Sequence, residues 1–171
     1  MGRSPFVVDV GDLQQSPGTQ RRVTLVGPLP GVGLSSARVP DGADVQFDVV
    51  LEAQGATVVV HGTAYAPWAG ECRRCLNPIQ ADMAVDVREI YEPRPVEGET
   101  FLLEGDLVDL APMLTEVVAL ALPLAPLCRD DCPGPDREAH PVDGSATEDD
   151  DVAAEPPRDP RWAALDQLKF D

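Results

Sequence analysis

Met83-Ala84-Val85-Asp86-Val87-Arg88-Glu89-Ile90-Tyr91 alternates apolar and polar residues. Successive side chains of a strand point to opposite faces, so a period of two predicts a half-buried strand. Two more strand-like stretches precede it, Val45 to Leu51 and the Val- and Tyr-rich Thr57 to Ala66, with Gly55 marking the turn between them. Phe6 to Val10 and Arg22 to Val26 add short extended pieces upstream, and Leu107 to Leu110 adds one downstream. Strands repeating at this spacing predict an antiparallel sheet or small β-barrel. From Gly27 to Gly42 the chain is rich in Pro, Gly and Ser and reads as a loop. Its Gly31-Val32-Gly33 lacks the third glycine and the following helix of a dinucleotide fingerprint.

After Leu110 the character changes. Asp109 sits where a helix N-cap belongs, and Pro112 falls in the first turn, where its missing N–H costs nothing. From Met113 to Leu122 only Thr115 and Glu116 are polar, so the helix is expected to be buried against the sheet. Pro123 ends it. The expected fold class is α+β: an antiparallel sheet or small β-barrel packed with one buried helix, followed by a disordered acidic linker and a short C-terminal helix. Residues 1–132 form the core domain, 133–159 the linker and 160–171 the helix.

The linker follows from composition. Pro133 to Pro160 carries six prolines, nine acidic and two basic residues, and hardly any large apolar side chain. Such a stretch buries too little surface to offset its ordering entropy. Its acid run, Glu148-Asp149-Asp150-Asp151, lacks the alternating ligands of a calcium loop. Beyond it Asp159-Pro160 signals a helix start, and Trp162, Leu165 and Leu168 recur at three-residue spacing, with Phe170 beyond. The stripe predicts an amphipathic attachment helix that docks on its own domain or on a partner. A helix this short is marginal alone in water.

The 171 residues suffice for one domain with a real core, and 43% hydrophobic with 25% charged residues is an ordinary soluble composition. Val117 to Cys128 is uncharged but only 12 residues long and broken by Pro123 and Pro126, too short to span a bilayer. The N-terminus shows no apolar signal core and no myristoylation pattern, which points to the cytoplasm. Net charge is −17, and −10 remains when residues 133–160 are set aside. Bare phosphate backbone repels such a chain, whereas a basic protein partner accepts it. Direct RNA contact needs a local basic patch, for which Arg21-Arg22 and Arg73-Arg74 are the clearest candidates.

All four cysteines fall in two close pairs, Cys72-Arg-Arg-Cys75 and Cys128-Arg-Asp-Asp-Cys132, 52 residues apart. Two pairs of thiolates can supply the tetrahedral sulfur set of a structural zinc ion. Cys72, Cys75, Cys128 and Cys132 are the candidate ligands, with Arg73, Arg74 and Arg129 placed to offset the −2 charge of a four-thiolate zinc. The first pair lies between two strands and the second just past the helix, so a shared metal would pin helix exit to sheet turn. Three alternatives stay open. Local disulfides are disfavoured in a reducing compartment. A redox Cys-x-x-Cys belongs at a helix start, but Cys75 runs into the turn signal Leu76-Asn77-Pro78. Four unbound thiols can also pack as small hydrophobes.

The segments Gly70-Glu71-Cys72-Arg73-Arg74-Cys75-Leu76, Asp109-Leu110 with Glu116, and Leu120 through Leu-Pro-Leu-Ala-Pro-Leu to Cys128 resemble the YceD family of large ribosomal RNA subunit accumulation proteins. Asp159 to Leu165 is similar to that family's closing helix. The resemblance implies a bacterial cytosolic protein that is not an enzyme and that supports accumulation or maturation of large-subunit rRNA. Many cysteine-bearing relatives carry a further Cys-x-x-Cys after the second pair, and here Pro133-Gly134-Pro135-Asp136 stands instead. Some relatives lack the cysteines, which makes any metal architectural.

The expected function is a non-catalytic factor in large-subunit biogenesis. Its partner is a large-subunit ribosomal protein or a precursor rRNA complex, met through Arg73, Arg74, Trp162, Leu165 and Leu168, with weak or indirect nucleic-acid contact and no membrane. The alternative is a zinc- or thiol-dependent redox enzyme or stress sensor. Against an enzyme, the only histidines are His61 in a strand and His140 in the linker, and no catalytic constellation assembles from them.

Overall fold

Val45, Phe47, Val49, Leu51 and Ala53 project to one side of a single strand and are wholly buried, while the residues between them face outward. In the computed structural model, which describes residues 4–135 apart from Pro17, this strand is the fourth of eight. Chain order is β1 (Val7–Asp9), α1 (Gly11–Gln14), β2 (Gln20–Pro28), β3 (Ala37–Arg38), β4 (Asp44–Gln54), β5 (Thr57–Glu71), β6 (Pro78–Glu92), β7 (Phe101–Glu104), β8 (Leu107–Asp109) and α2 (Ala111–Ala121). The spatial order is β1-β8-β7-β6-β5-β4-β2, and β3 pairs with β5 beyond the end of β4. All pairings are antiparallel except β6 with β7.

The sheet curls into a half-barrel whose concave face holds the core. Gly62 marks a tight point of that curl. It lies on the inner face of β5 between Val60 and Ala64, opposite Val49, and a Cβ there would stand 2.1 Å from the carbonyl oxygen of Asp48. Only the absent side chain lets the two backbones approach so closely. The edge strands are tied by side chains. Arg21 on β2 donates to the carbonyl oxygen of Asp9 on β1 at 2.7 Å and pairs with the Asp12 carboxylate. Pro5 packs onto Gly27, six residues further along β2.

The expected α+β class is incorrect: the described residues are mostly strand, with two helices of 4 and 11 residues. The expected buried helix is α2, and it is not a second layer packed on a sheet. Met113, Leu114 and Val118 are buried, but Leu120 is 87% exposed. A run apolar on every side resembles a buried helix in sequence, yet the curled sheet supplies most of the core from its own concave face. The helix start also shifts by one residue: Leu110 is the N-cap, and Asp109 Oδ1 accepts the N–H of Ala111 at 3.0 Å. Tyr91 closes the region between sheet and helix. It is buried, stacks on Phe101 at 5.3 Å between centroids and donates its hydroxyl to the Asp109 carbonyl at 3.2 Å.

Among the described residues no helix is long and apolar enough to cross a membrane. The expected linker and C-terminal helix lie outside the described residues, apart from Pro133 to Pro135.

Candidate metal centre

β5 ends at Glu71 and β6 begins at Pro78, so the first cysteine pair occupies the tip of a long hairpin. The tip is a tight knuckle. Cys72 donates its N–H to the Asn77 carbonyl at 2.9 Å, and Leu76 donates to the Cys72 carbonyl at 2.9 Å. Leu76 closes the turn with φ of 61°, in the left-handed region where glycine is the easy residue. A non-glycine side chain there costs about 1 kcal/mol. Yet Leu76 is 67% exposed and recovers little of that by burial.

The second pair arrives from α2. Pro123 stops the helix, and the extended chain after it is held against the first half of the fold. Ser36 donates its hydroxyl to the Pro123 carbonyl at 2.9 Å, and the Arg73 N–H donates to the Pro126 carbonyl at 2.9 Å. The Cys132 N–H donates to the Arg129 carbonyl at 3.1 Å, which folds the second pair into its own turn. Hairpin tip and helix exit thus meet, as the two-pair spacing predicts.

The four Sγ atoms all lie within 4.8 Å of one another. Cys72 and Cys132 are 3.7 Å apart and Cys75 and Cys128 are 3.8 Å apart, too far for S–S bonds. A tetrahedron with zinc–sulfur bonds of about 2.3 Å has edges of about 3.8 Å. The donor set therefore fits a tetrahedral thiolate metal, with Cys72, Cys75, Cys128 and Cys132 as its holders. Cys72 and Cys132 are buried, Cys75 is half-buried and Cys128 is exposed, so one corner of the centre faces solvent.

The thiols are not equivalent. N–H groups of Cys75 and then Cys128 aim at the Cys72 sulfur, and they hold its pKa down at about 6 despite its burial. Those donors favour a thiolate. At Cys75 the Asn77 N–H acts in the same direction, but desolvation and the neighbouring thiols outweigh it and the pKa rises. Hydrogen bonding to Cys132, with desolvation, pushes Cys128 up to about 12. Four sulfurs this close cannot all ionise without a cation among them.

Arg74 and Arg73 have separate roles. Arg74 Nη1 donates to the carbonyls of Asp130 at 3.1 Å and Cys132 at 3.0 Å, clamping the second cysteine turn onto the first. Arg73 is exposed and has no side-chain hydrogen bond or ion pair among the described residues. Arg129 pairs with Asp131 at 3.2 Å on the surface. Trp162, Leu165 and Leu168 lie outside the described residues. The loop expected from Gly27 to Gly42 contains β3, which brings Ser36 and Arg38 to the hairpin. No local pattern announces them, because their position depends on pairing across to Gly70 and Ala69.

Residues 60–169 match the family described as "Large ribosomal RNA subunit accumulation protein YceD". The match begins inside β5 and includes all four cysteines. Among curated proteins, the chain is similar to an uncharacterized protein of Mycobacterium tuberculosis, 31% identical over 179 residues covering 96% of this chain and 82% of that one. A Mycobacterium bovis protein matches to the same extent. An uncharacterized protein of Mycobacterium leprae is 31% identical over 140 residues, 77% of this chain and 64% of that one. No solved structure matches.

Proposed function

The chain belongs to the YceD family of large ribosomal RNA subunit accumulation proteins, and we propose that it is a non-catalytic, zinc-stapled factor of large-subunit biogenesis in the bacterial cytoplasm. The observation that carries this reading is the meeting of two distant cysteine pairs inside a region the family match covers. Zinc bound there supplies a cross-link and no chemistry. Borderline-soft Zn²⁺ suits four thiolates in a closed tetrahedron. Cys72, whose thiol pKa is held down by backbone N–H groups, has no exposed surface, which serves a metal ligand and not a redox nucleophile that must meet a substrate.

The partner is a large-subunit ribosomal protein or a precursor rRNA complex. A net charge of −17 disfavours coating bare duplex RNA and favours meeting basic ribosomal protein, or rRNA already partly covered by it. Such pairing weakens as salt rises. The test is sedimentation of cell extract. The protein travels with large-subunit precursors, and its deletion lowers large-subunit rRNA relative to small-subunit rRNA. Normal rRNA in the deletion strain would overturn the assignment.

A further inference from the structure

β3 and the tip of the β5–β6 hairpin enclose a cleft of about 660 Å³ next to the cysteine centre. That is within the range of small-molecule and cofactor sites. Arg38 of β3 and Arg73 of the hairpin tip both line it, with Glu71 as the single carboxylate among the lining side chains. Arg38, like Arg73, has no side-chain hydrogen bond or ion pair among the described residues. A chain of net charge −17 thus presents a cleft with two unpaired guanidinium groups on its lining, set against the Glu71 carboxylate and the Cys72 sulfur. Leu34, Leu76 and Ile79 supply apolar surface, and Ser35 and Gln80 supply hydrogen-bonding groups.

We propose that this cleft holds a short single-stranded segment of RNA, with Arg38 and Arg73 each on a phosphate and the leucine side of the cleft against the bases. The proposal rests on the ribosomal reading above and adds the chemistry and place of the contact. Guanidinium groups match phosphate oxygens bidentately, as an ammonium does not. Unpaired strands expose bases to apolar and polar side chains at once, whereas a duplex hides them. The acidity of the remaining surface repels the dense phosphates of a duplex and spares a strand that threads between two arginines. Leu76 supplies a second, independent observation. It keeps a backbone conformation suited to glycine and leaves its side chain exposed on the cleft, so the fold gains little from a leucine there. A ligand contact accounts for it.

The test uses full-length protein with a fluorescent single-stranded oligouridylate, read by anisotropy across a salt series. Two phosphate contacts give a slope of about −1.4 in log affinity against log salt, roughly 0.7 for each. Arg38→Gln and Arg73→Gln each weaken binding several-fold and reduce the slope by about 0.7. Arg94→Gln, an equal charge change in the β6–β7 loop, leaves both unchanged. Glu71→Gln tightens binding. Leu76→Gly raises the unfolding midpoint while weakening binding, a pairing that a purely structural leucine would not produce.

Equal loss from Arg94→Gln and Arg73→Gln would reduce the effect to general charge and overturn the cleft. So would displacement of the RNA by polyglutamate at matched charge, which would indicate an acidic polypeptide as the occupant. The two readings also fail separately. No oligouridylate binding, in a protein whose deletion still depletes large-subunit rRNA, overturns the cleft and leaves the ribosomal role standing.

Discussion

Arg21 donates to the backbone carbonyl of Asp9 and thereby ties the two edge strands of the half-barrel, which share no backbone ladder. That contact removes Arg21 from the candidate RNA-binding residues, because its guanidinium is already engaged by a carbonyl and by the Asp12 carboxylate. Arg21→Ala should destabilise the domain by about 1.5 kcal/mol, the lower end of what a hydrogen bond from a charged group contributes, and lower the unfolding midpoint by several degrees. Arg21 also holds the Asp12 carboxyl below its ordinary value of 3.8. A depressed folded-state pKa contributes stability above the unfolded pKa and loses it as pH falls through the folded one. Thermal scans should therefore show the Arg21→Ala deficit at neutral pH and a smaller one in strong acid.

Metal removal gives a graded result. Protein purified without chelator should carry one zinc ion per chain, and stripping it should lower the unfolding midpoint and leave four titratable thiols. Because Cys128 is exposed and Cys72 is buried, Cys128→Ser should lose the metal with a modest drop in midpoint, and Cys72→Ser should lose it with a larger one. Elemental analysis and thiol titration decide it: no zinc, with four freely reactive thiols in untreated protein, would rule out the metal.

Gly62→Ala tests the curl of the sheet. Its Cβ would collide with backbone of β4, which cannot rotate away as a side chain can. Overpacking of this kind should cost about 3 kcal/mol and lower the midpoint by roughly 10 °C. Retention of the wild-type midpoint would show that the strands can separate at that point.

Glu89 faces the helix side of the sheet between Val87 and Tyr91, and desolvation, reinforced by Glu116, raises its pKa above 4.5. A raised carboxyl pKa favours the folded state while the group is protonated, and that advantage is lost as pH climbs through the folded value. Glu89→Gln should accordingly unfold at a higher temperature than wild type near pH 7 and converge with it near pH 4. Parallel curves across that range would contradict the sign.

The central meander was legible because the core of β6 alternates cleanly and β4 and β5 are rich in Val on either side of the turn glycine Gly55, and each extends the segment expected from its sequence. The cysteine centre was legible for a different reason: four thiols in two ligand-spaced pairs constrain any fold that joins them. β7 was not, since Phe101-Leu102-Leu103-Glu104 is four residues long, does not alternate and is placed by a parallel pairing to β6. β3 is two residues inside a loop rich in glycine and proline, and its position depends on close approach to Gly70, where a Cβ would stand 2.5 Å from the Ser36 carbonyl oxygen. The burial of α2 was overstated because an apolar Leu120 carries no mark of facing outward. Arg38 joins Arg73 only through tertiary pairing, and nothing local connects them.

The partner of Val8 is Val108, a hundred residues further along the chain. During synthesis the β4–β5–β6 meander emerges and can pair while the first strand still has nothing to pair with. At about 10 residues per second, within the usual range, some ten seconds separate the two strands. Through that interval Phe6, Val8 and Val10, all buried in the finished domain, remain uncovered. Release from the exit tunnel, more than any local preference, sets when this fold can complete itself.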